Sequence, residues 1–381
     1  MSKGNDLATR KLAEDLANEN WKIICTFLPS GWMEQARQCG ALQRARGIPD
    51  AEKLLRLLLI HVVNGCSLSE TAVRAAQMGL HVSAVAVFKR LQAAEEWLRW
   101  LAAQQLGTKR LRFENRGRPL RAVDATSVSE PGSTGTDWRV HYSISLADLR
   151  CDFFELTAIE HGGETLRRVP VHRGDIMMGD RIYANPVAVS HVVDAKGDIL
   201  VRLNRQTLPL FDASEKRMDP LQLFGKIKAG QVLERVTRVR GRNGAWIVGR
   251  LIALKRSAAA TRQVRKKLLR KASKRQEKVT RESLRAAQYF AVWTTLASED
   301  FSAEEILDFY RLRWQIELAF KRMKSLLGLG HLPKKDPASA RAWLHGKLFA
   351  SLLVERMIEA ASSISPWGYE LETPAQSMER N

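Results

Sequence analysis

Apolar residues recur at three- and four-residue spacing in the first third of the chain, and this spacing predicts helices. After Asp50, the run Leu54–Val62 has one apolar face of this kind. Ser67 with Glu70 three residues later predicts a capping box, in which Glu70 reaches back to exposed N–H groups at the start of the next helix. A third helix is predicted from Ser83 onward. Two short helices joined by a glycine-containing turn are compatible with a DNA-binding helix-turn-helix motif. They are equally compatible with a small helical bundle whose helices pack together and do not contact DNA.

From Pro119 onward the pattern changes to that of β-strands. Leu120–Val128 is a short strand-forming run, and Trp138–Leu146 alternates strictly between two faces. The elements predicted after them are a strand at Phe153–Ile159, a helical turn at Thr165–Val169, a strand at Ile176–Met178 that ends at Asp180, a helix at Pro186–Val193 and a strand at Ile199–Leu203. Three strands followed by alternating helices and strands predict an α/β fold and resemble the order of a ribonuclease H-like core.

Residues 205–288 interrupt this order. Gln231–Ile252 is typical of a strand pair that turns at Gly241–Gly244, and Lys255–Arg281 then contains twelve Lys or Arg residues and one acid. Such a run can be the solvated face of a helix. Because a run of one sign repels itself, contact with phosphate is the favoured interpretation. The residues predicted to make this contact are Arg265, Lys266, Lys267, Arg270 and Lys271.

The net charge of the chain indicates which kind of partner it binds. The chain of 381 residues has 61 Lys and Arg against 41 Asp and Glu, a net charge of +20. This excess favours a polyanion, either nucleic acid or an anionic membrane surface, and would also fit a ribosomal or nucleoid protein. Four scattered cysteines predict buried thiols in a reducing compartment. Met1–Asn20 is polar and the apolar runs are short, so we expect a soluble, cytoplasmic protein without a membrane partner.

The strongest local pattern lies at Ser302–Leu327, which predicts one continuous helix with Ser302 and Glu305 forming a capping box. An apolar stripe runs along this helix, and beside it a polar stripe holds Tyr310, Arg313, Glu317 and Lys324. Glu317 could form no more than a salt bridge with Arg313, one turn away.

Two further carboxylates lie in strand-forming runs. Asp124 interrupts an apolar strand, where an unpaired charge is costly to bury, and Asp180 ends another. Each could simply cap a turn. Clustered carboxylates, however, repel one another unless a cation lies between them, and hard divalent ions prefer oxygen ligands. Two such ions can stabilise both the attacking and the leaving oxygen of a phosphoryl transfer.

These residues resemble the motifs of a known family. The spacing Tyr310-x2-Arg313-x3-Glu317-x6-Lys324 is similar to the Tyr-Arg-Glu-Lys signature of DDE transposases from bacterial insertion sequences, specifically the fourth insertion-sequence family. Val123-Asp124-Ala125-Thr126 resembles the strand of the first Asp, and Trp138–Tyr142 resembles the second strand. Gly179–Tyr183 resembles the motif of the second Asp.

The resemblance implies that Asp124, Asp180 and Glu317 are catalytic and bind Mg²⁺ or Mn²⁺. It implies that Tyr310, Arg313 and Lys324 position the DNA backbone. The expected activity is cleavage at the inverted-repeat ends of an element and strand transfer into double-stranded target DNA, by a nucleoid-associated homodimer on DNA. The alternatives are a ribonuclease H-like nuclease or resolvase without strand transfer, and an inactive DNA-binding relative.

We therefore expect an α/β protein whose ribonuclease H-like catalytic core carries a β-rich insertion and follows an N-terminal helical domain. The predicted parts are the helical DNA-binding region 1–118, the first core segment 119–204, the β-rich insertion with its basic helix 205–288, the second core segment 289–363 and a C-terminal tail 364–381.

Overall fold

The computed structural model describes residues 20–44, 47–106, 117–228 and 231–362. The predicted tail 364–381 and the first 19 residues of the predicted helical region lie outside them. The chain divides into two units. The helical unit comprises Met1–Leu106, Val128–Asp137 and Arg322–Asn381, and the sheet unit comprises Gly107–Ser127 and Trp138–Lys321.

The helical unit is built from amphipathic helices, three of which begin at a side-chain cap provided by Asp50, Ser67 or Ser83. They are α1 (20–26), α2 (Trp32–Gln38), α3 (Ala51–Val63), α4 (Leu68–Gln77), α5 (Ala84–Ala93), α6 (Glu95–Gln104) and the long α13 (Pro337–Ser362). Ser67 accepts the Glu70 N–H at 3.1 Å, as predicted. The reciprocal half of the expected capping box is wrong, because the Glu70 carboxylate pairs with Arg74 at 3.0 Å instead. The two short helices α4 and α5 are present, and their contact with DNA stays a prediction.

Helix α13 forms the centre of this unit, where it packs on α3, α5 and α6. Leucines and a tryptophan on these helices, among them Leu54, Leu58, Trp97 and Leu348, are fully buried. Arg341 on α13 pairs with Glu95 on α6 at 2.9 Å. Burial of the apolar faces is the main source of stability here, since helices of this length are marginal alone.

A ten-stranded sheet forms the sheet unit, in the order β3-β2-β1-β4-β5-β10-β9-β8-β6-β7. Its strands are β1 (Leu120–Val128), β2 (Trp138–Ser145), β3 (Cys151–Ala158), β4 (Ile176–Gly179), β5 (Asp198–Arg202), β6 (Leu210–Phe211), β7 (Arg217–Met218), β8 (Val232–Arg240), β9 (Trp246–Lys255) and β10 (Tyr289–Thr294). Strands β1, β4 and β5 are parallel, and their nearly continuous burial is typical of a sheet covered on both faces. The predicted strand bounds from Leu120 to Leu203 are confirmed to within two residues.

The remaining helices of the sheet unit are α7 (Pro186–Asp194), α8 (Pro220–Phe224), α9 (Ala258–Arg275), α10 (Arg281–Ala286) and α11 (Ala303–Leu312), followed by α12 (Trp314–Leu326), which continues beyond Lys321. The predicted hairpin in the insertion is confirmed as β8 and β9, which turn between Gly241 and Gly244. This hairpin extends the same sheet through β10, because β10 pairs with β5 on one side and with β9 on the other.

The expected single helix over Ser302–Leu327 is wrong, because the chain forms two helices that break at Arg313. The Arg313 N–H donates to the Tyr310 carbonyl three residues back, at 3.2 Å, which tightens the turn. The capping box at the start of α11 is confirmed, with Ser302 and Glu305 bonded in both directions. Within the described chain, no helix combines the length and the apolar character needed to cross a bilayer.

Candidate active site

The parallel strands β1 and β4 place the first two predicted acids side by side. In their register Ala122 lies opposite Met178, so continuing it by two residues brings Asp124 level with Asp180. Asp180 directly follows the last residue of β4, while Asp124 lies in the second half of β1. The two carboxylates therefore come to the same end of the sheet, and the charge of Asp180 raises the pKa of Asp124.

Asp124 is half-buried, with a side chain 19% exposed. One carboxylate oxygen, Oδ1, accepts the N–H of Ala125 at 2.8 Å. Burial raises the pKa of Asp124 to about 7, and the charges of Asp180 and Glu164 add to this increase. The hydrogen bond from the Ala125 N–H and the charge of Arg313 lower the pKa of Asp124. A carboxylate in this position needs a cation if it is to remain charged.

Asp180 caps the turn that follows β4. Its Oδ1 accepts the N–H of Ile182 at 2.7 Å, which starts the short 3₁₀ turn Arg181–Tyr183. Gly179 precedes it, where a Cβ would lie 2.8 Å from Cδ2 and 2.9 Å from Cβ of Tyr183. Only glycine fits this close approach, since real Cβ contacts are longer. The glycine therefore sets how the Asp180 turn lies against the core.

Arg313 joins the first and third predicted acids. Its Nη1 lies 3.6 Å from Oδ2 of Asp124, and its Nη2 donates to Oε1 of Glu317. The Arg313 side chain is 16% exposed, so the pair with Glu317 is more than an exposed salt bridge. In this structure the guanidinium of Arg313 is the cation that Asp124 and Glu317 contact.

Tyr310 lies in the core of the sheet unit. Its side chain is 6% exposed, and its hydroxyl donates to the Gly179 carbonyl at 3.3 Å. Burial raises the pKa of Tyr310 to about 12. The hydroxyl is thus bonded to the residue that precedes Asp180, and the role of Tyr310 in positioning DNA stays a prediction.

Sequence reasoning missed one carboxylate of this site, Glu164. It lies in the loop after β3, and it pairs with Arg139 at 3.4 Å. Burial raises the pKa of Glu164, and the nearby charge of Asp180 raises it further. No spacing in the sequence marks Glu164, because it belongs to a glycine-containing loop, Gly162-Gly163-Glu164, without a repeated pattern.

The predicted DNA-binding cations occupy different places. On α9, Lys266, Lys267, Arg270 and Lys271 are exposed, whereas Arg265 is half-buried and donates from Nε to the Leu284 carbonyl at 3.2 Å. Lys324 is exposed on the last turn of α12 and belongs to the helical unit. Partial burial of the Lys324 side chain lowers its pKa.

A divalent metal fits the chemistry of the acids in the sheet unit. Asp124, Asp180 and Glu317 offer only oxygen ligands. Burial, together with the charges of Asp180 and Glu164, raises the pKa of Asp124, so its charged form is costly there without a cation. Across the described ranges no three His, Cys, Asp or Glu side chains are close enough to hold one ion, and Arg313 lies between two of the acids here.

Comparison with known proteins identifies the class of protein to which the chain belongs. The family described as the transposase DDE domain matches residues 157–353. The transposase for insertion sequence element IS421 of Escherichia coli is 33% identical over 92% of this chain and 97% of its own length, as is the protein named transposase InsL for element IS186A in the same species. A transposase for element IS231F of Bacillus thuringiensis subsp. israelensis is 26% identical over 36% of this chain and 28% of its own length.

The chain belongs to the insertion-sequence DDE transposases. It is a DNA transposase, an enzyme that cleaves DNA and transfers the cut strand. Membership also implies that the protein acts on DNA and depends on a divalent metal.

Proposed function

We propose that Asp124, Asp180 and Glu317 together hold the divalent metal, Mg²⁺ or Mn²⁺, with which this transposase cuts and joins DNA. The observation that carries the proposal is the arrangement in the sheet unit. Asp124 and Asp180 are level on parallel strands, and Arg313 connects Asp124 with Glu317. A metal ion bound there would stabilise the charge on the attacking and leaving oxygens of the phosphodiester.

The order β3-β2-β1-β4-β5, with β1, β4 and β5 parallel, supports a ribonuclease H-like core. On this interpretation, residues 119–204 and 289–363 form the core, residues 205–288 are an insertion into it, and residues 1–118 are the DNA-binding region. Tyr310, Arg313, Glu317 and Lys324 then form the signature of the fourth insertion-sequence family.

The side chains around the acids have separate tasks. Arg313 offers a planar fork that suits phosphate, and it would exchange its carboxylate partners for the DNA backbone when metal neutralises them. Tyr310 holds the Gly179 carbonyl and so fixes the end of β4 from which Asp180 projects. The exposed cations of α9 attract the DNA backbone irrespective of its sequence.

The proposed reaction has two steps on one DNA end. Water first cleaves the phosphodiester at the end of the element, and the freed 3′-OH then attacks a phosphodiester of target DNA. Two protomers, each holding one inverted-repeat end, would complete the reaction.

The test replaces each acid separately by alanine and measures cleavage of a supercoiled plasmid that carries the element ends, in Mg²⁺ and in Mn²⁺. Asp124→Ala, Asp180→Ala and Glu317→Ala should each abolish cleavage and leave DNA binding nearly intact, because the acids do not contact phosphate. Glu304→Ala is the matched control, since Glu304 is an exposed acid on α11. Cleavage by any one of the three variants would remove that residue from the site.

A further inference from the structure

A group of arginines meets at the same end of the sheet as Asp180. Strands β4 and β5 run parallel, with Gly179 opposite Val201, so both finish at this end. Strand β10 runs antiparallel to β5 and β9 antiparallel to β10, so β10 begins and β9 finishes there too. Arg181 follows β4, Arg202 ends β5 and Arg256 follows β9. The topology thus brings cations from three strand ends together.

Two of these arginines, Arg181 and Arg202, border a cavity of about 190 Å³, whereas Arg256 lies outside its lining. Arg181, Arg202 and Arg205 line it, and Val264 and Leu268 of α9 line another side. A pocket for a drug-sized molecule has roughly 300–1,000 Å³. The smaller cavity, with guanidinium groups in its wall, is suited to a single anionic group.

Aromatic contacts orient two of the guanidinium groups. The Cζ atoms of Arg202 and Arg256 lie 5.8 Å and 5.3 Å from the centroid of the same ring, that of Phe290. The Arg256 backbone N–H also donates to the Gln288 carbonyl at 2.7 Å, which ties Arg256 to the chain just before β10. Cations held over an aromatic face lose less freedom when they bind a ligand.

Most of the charge of the group is not compensated by ion pairs within the described residues. No acidic side chain in the described ranges lies within ion-pair distance of Arg181, Arg202 or Arg256, and the carboxylate nearest Arg205 is that of Asp219 at 4.0 Å. The buried Nε of Arg256 has no hydrogen-bond partner among these residues. Like charges placed together are costly unless an anion binds between them.

We propose that Arg181, Arg202, Arg205 and Arg256 form a phosphate site that binds one phosphodiester of the DNA backbone next to the Asp180 turn. This inference rests on the proposed function, since the DNA whose phosphate it binds is the DNA that reaches the three acids. The site holds the backbone at a fixed distance from Asp180, because Arg181 is the next residue of the chain.

The first measurement is DNA binding without metal, by fluorescence anisotropy over a series of salt concentrations. The variant Arg202→Gln/Arg256→Gln should flatten the slope of log K against log salt by up to about 1.8, roughly 0.9 for each lost contact. The matched control is Arg167→Gln/Arg173→Gln, which removes the same charge from two exposed arginines, one of them just before β4. Equal slopes for the two double variants would overturn the proposal.

The second measurement locates the phosphate. Element-end duplexes with a single neutral methylphosphonate, moved along the strand, should bind wild-type protein more weakly at one position near the cleavage site. The double variant should not respond to that position. If the double variant responds to that position as strongly as wild type does, the cavity does not bind a backbone phosphate. The same conclusion follows if the double variant loses the binding of inorganic phosphate and nothing else.

Folding is checked by thermal unfolding and by a charge-conserving variant. Arg202→Lys/Arg256→Lys should keep most of the salt slope, whereas a loss as large as that of the Gln variant would attribute the effect to the fold and overturn the proposal. Failure of the proposed function is a separate result, because it would show as cleavage by Asp124→Ala, Asp180→Ala or Glu317→Ala.

Discussion

Gly179→Ala is expected to destabilise the sheet unit and to displace the turn that carries Asp180. The added Cβ would lie 2.8, 2.9 and 3.0 Å from Cδ2, Cβ and Cγ of Tyr183. Tyr183 cannot easily move away, because it is 1% exposed and packed in the core. Overpacking of this kind typically costs about 1–3 kcal/mol of unfolding free energy. In a unit of this size each kcal/mol lowers the melting temperature by about 2–4 °C.

The same substitution should slow cleavage. Asp180 follows Gly179 directly, and the Gly179 carbonyl accepts the Tyr310 hydroxyl, so a shift of this residue disturbs both contacts. A displacement of about 1 Å in a reacting group can cost on the order of 100-fold in rate. The assay is single-turnover cleavage of an element-end duplex, with thermal unfolding measured on the same preparation.

Gly163→Ala is the matched control, since nothing lies within 4 Å of a Cβ at that position. It also lies one residue before Glu164, so it tests whether any added methyl group near the acids has the same effect. If Gly179→Ala melts and cleaves like Gly163→Ala, the close approach to Tyr183 does not constrain the Asp180 turn and the reasoning is wrong.

Four further predictions concern charge. Replacing Arg265, Lys266, Lys267, Arg270 and Lys271 by Gln should weaken binding to all DNA sequences alike. It should also reduce the slope of log K against log salt by roughly 0.9 for each lost contact. An unchanged slope would mean that these side chains of α9 face solvent. Arg313→Ala should slow single-turnover cleavage and, because Asp124 loses a cation, cost about 1–3 kcal/mol of stability. Lys324→Ala should slow cleavage at nearly unchanged stability, and normal rates for both variants would exclude their role in positioning DNA. Burial lowers the pKa of His141 to about 4, so the unfolded chain binds its proton first and stability should fall as pH drops from about 6.5 towards 4. Comparison with His141→Gln, measured by urea denaturation, isolates this contribution, and identical pH slopes would contradict it.

The sequence predicts local elements well where the pattern of burial is regular. Strand β1 has the predicted bounds Leu120–Val128, and the strand predicted at Ile176–Met178 is β4, which ends directly before Asp180. The parallel register of the two strands then brings Asp124, in the middle of β1, level with Asp180. The hairpin of β8 and β9 is also predicted, because its glycine-containing turn separates two strand-forming runs.

Long-range contacts explain what the sequence does not predict. The helix break at Arg313 has no glycine or proline beside it, and Arg313 there contacts Asp124, which is distant in sequence. Glu164 belongs to no motif, and Arg256 is marked only as a member of the basic run Lys255–Arg281, because the neighbours of both residues at the site come from other strands. The sequence does not predict β10 as the link between β5 and β9, because the pairing of a strand with two partners distant in sequence depends on the whole sheet.

That link has a consequence for how transposases of this shape can lose or exchange their insertions. Strand β10 bonds to β9 along its whole length, from Tyr289 opposite Lys255 to Thr294 opposite Arg250. Deleting residues 205–288 would therefore turn β10 into an edge strand with a row of unpaired N–H and C=O groups. Such a strand invites pairing with another molecule and aggregation. A shortened relative would have to protect this strand by a bulge, a charge or a replacement hairpin, so residues 205–288 can be replaced more easily than they can be removed.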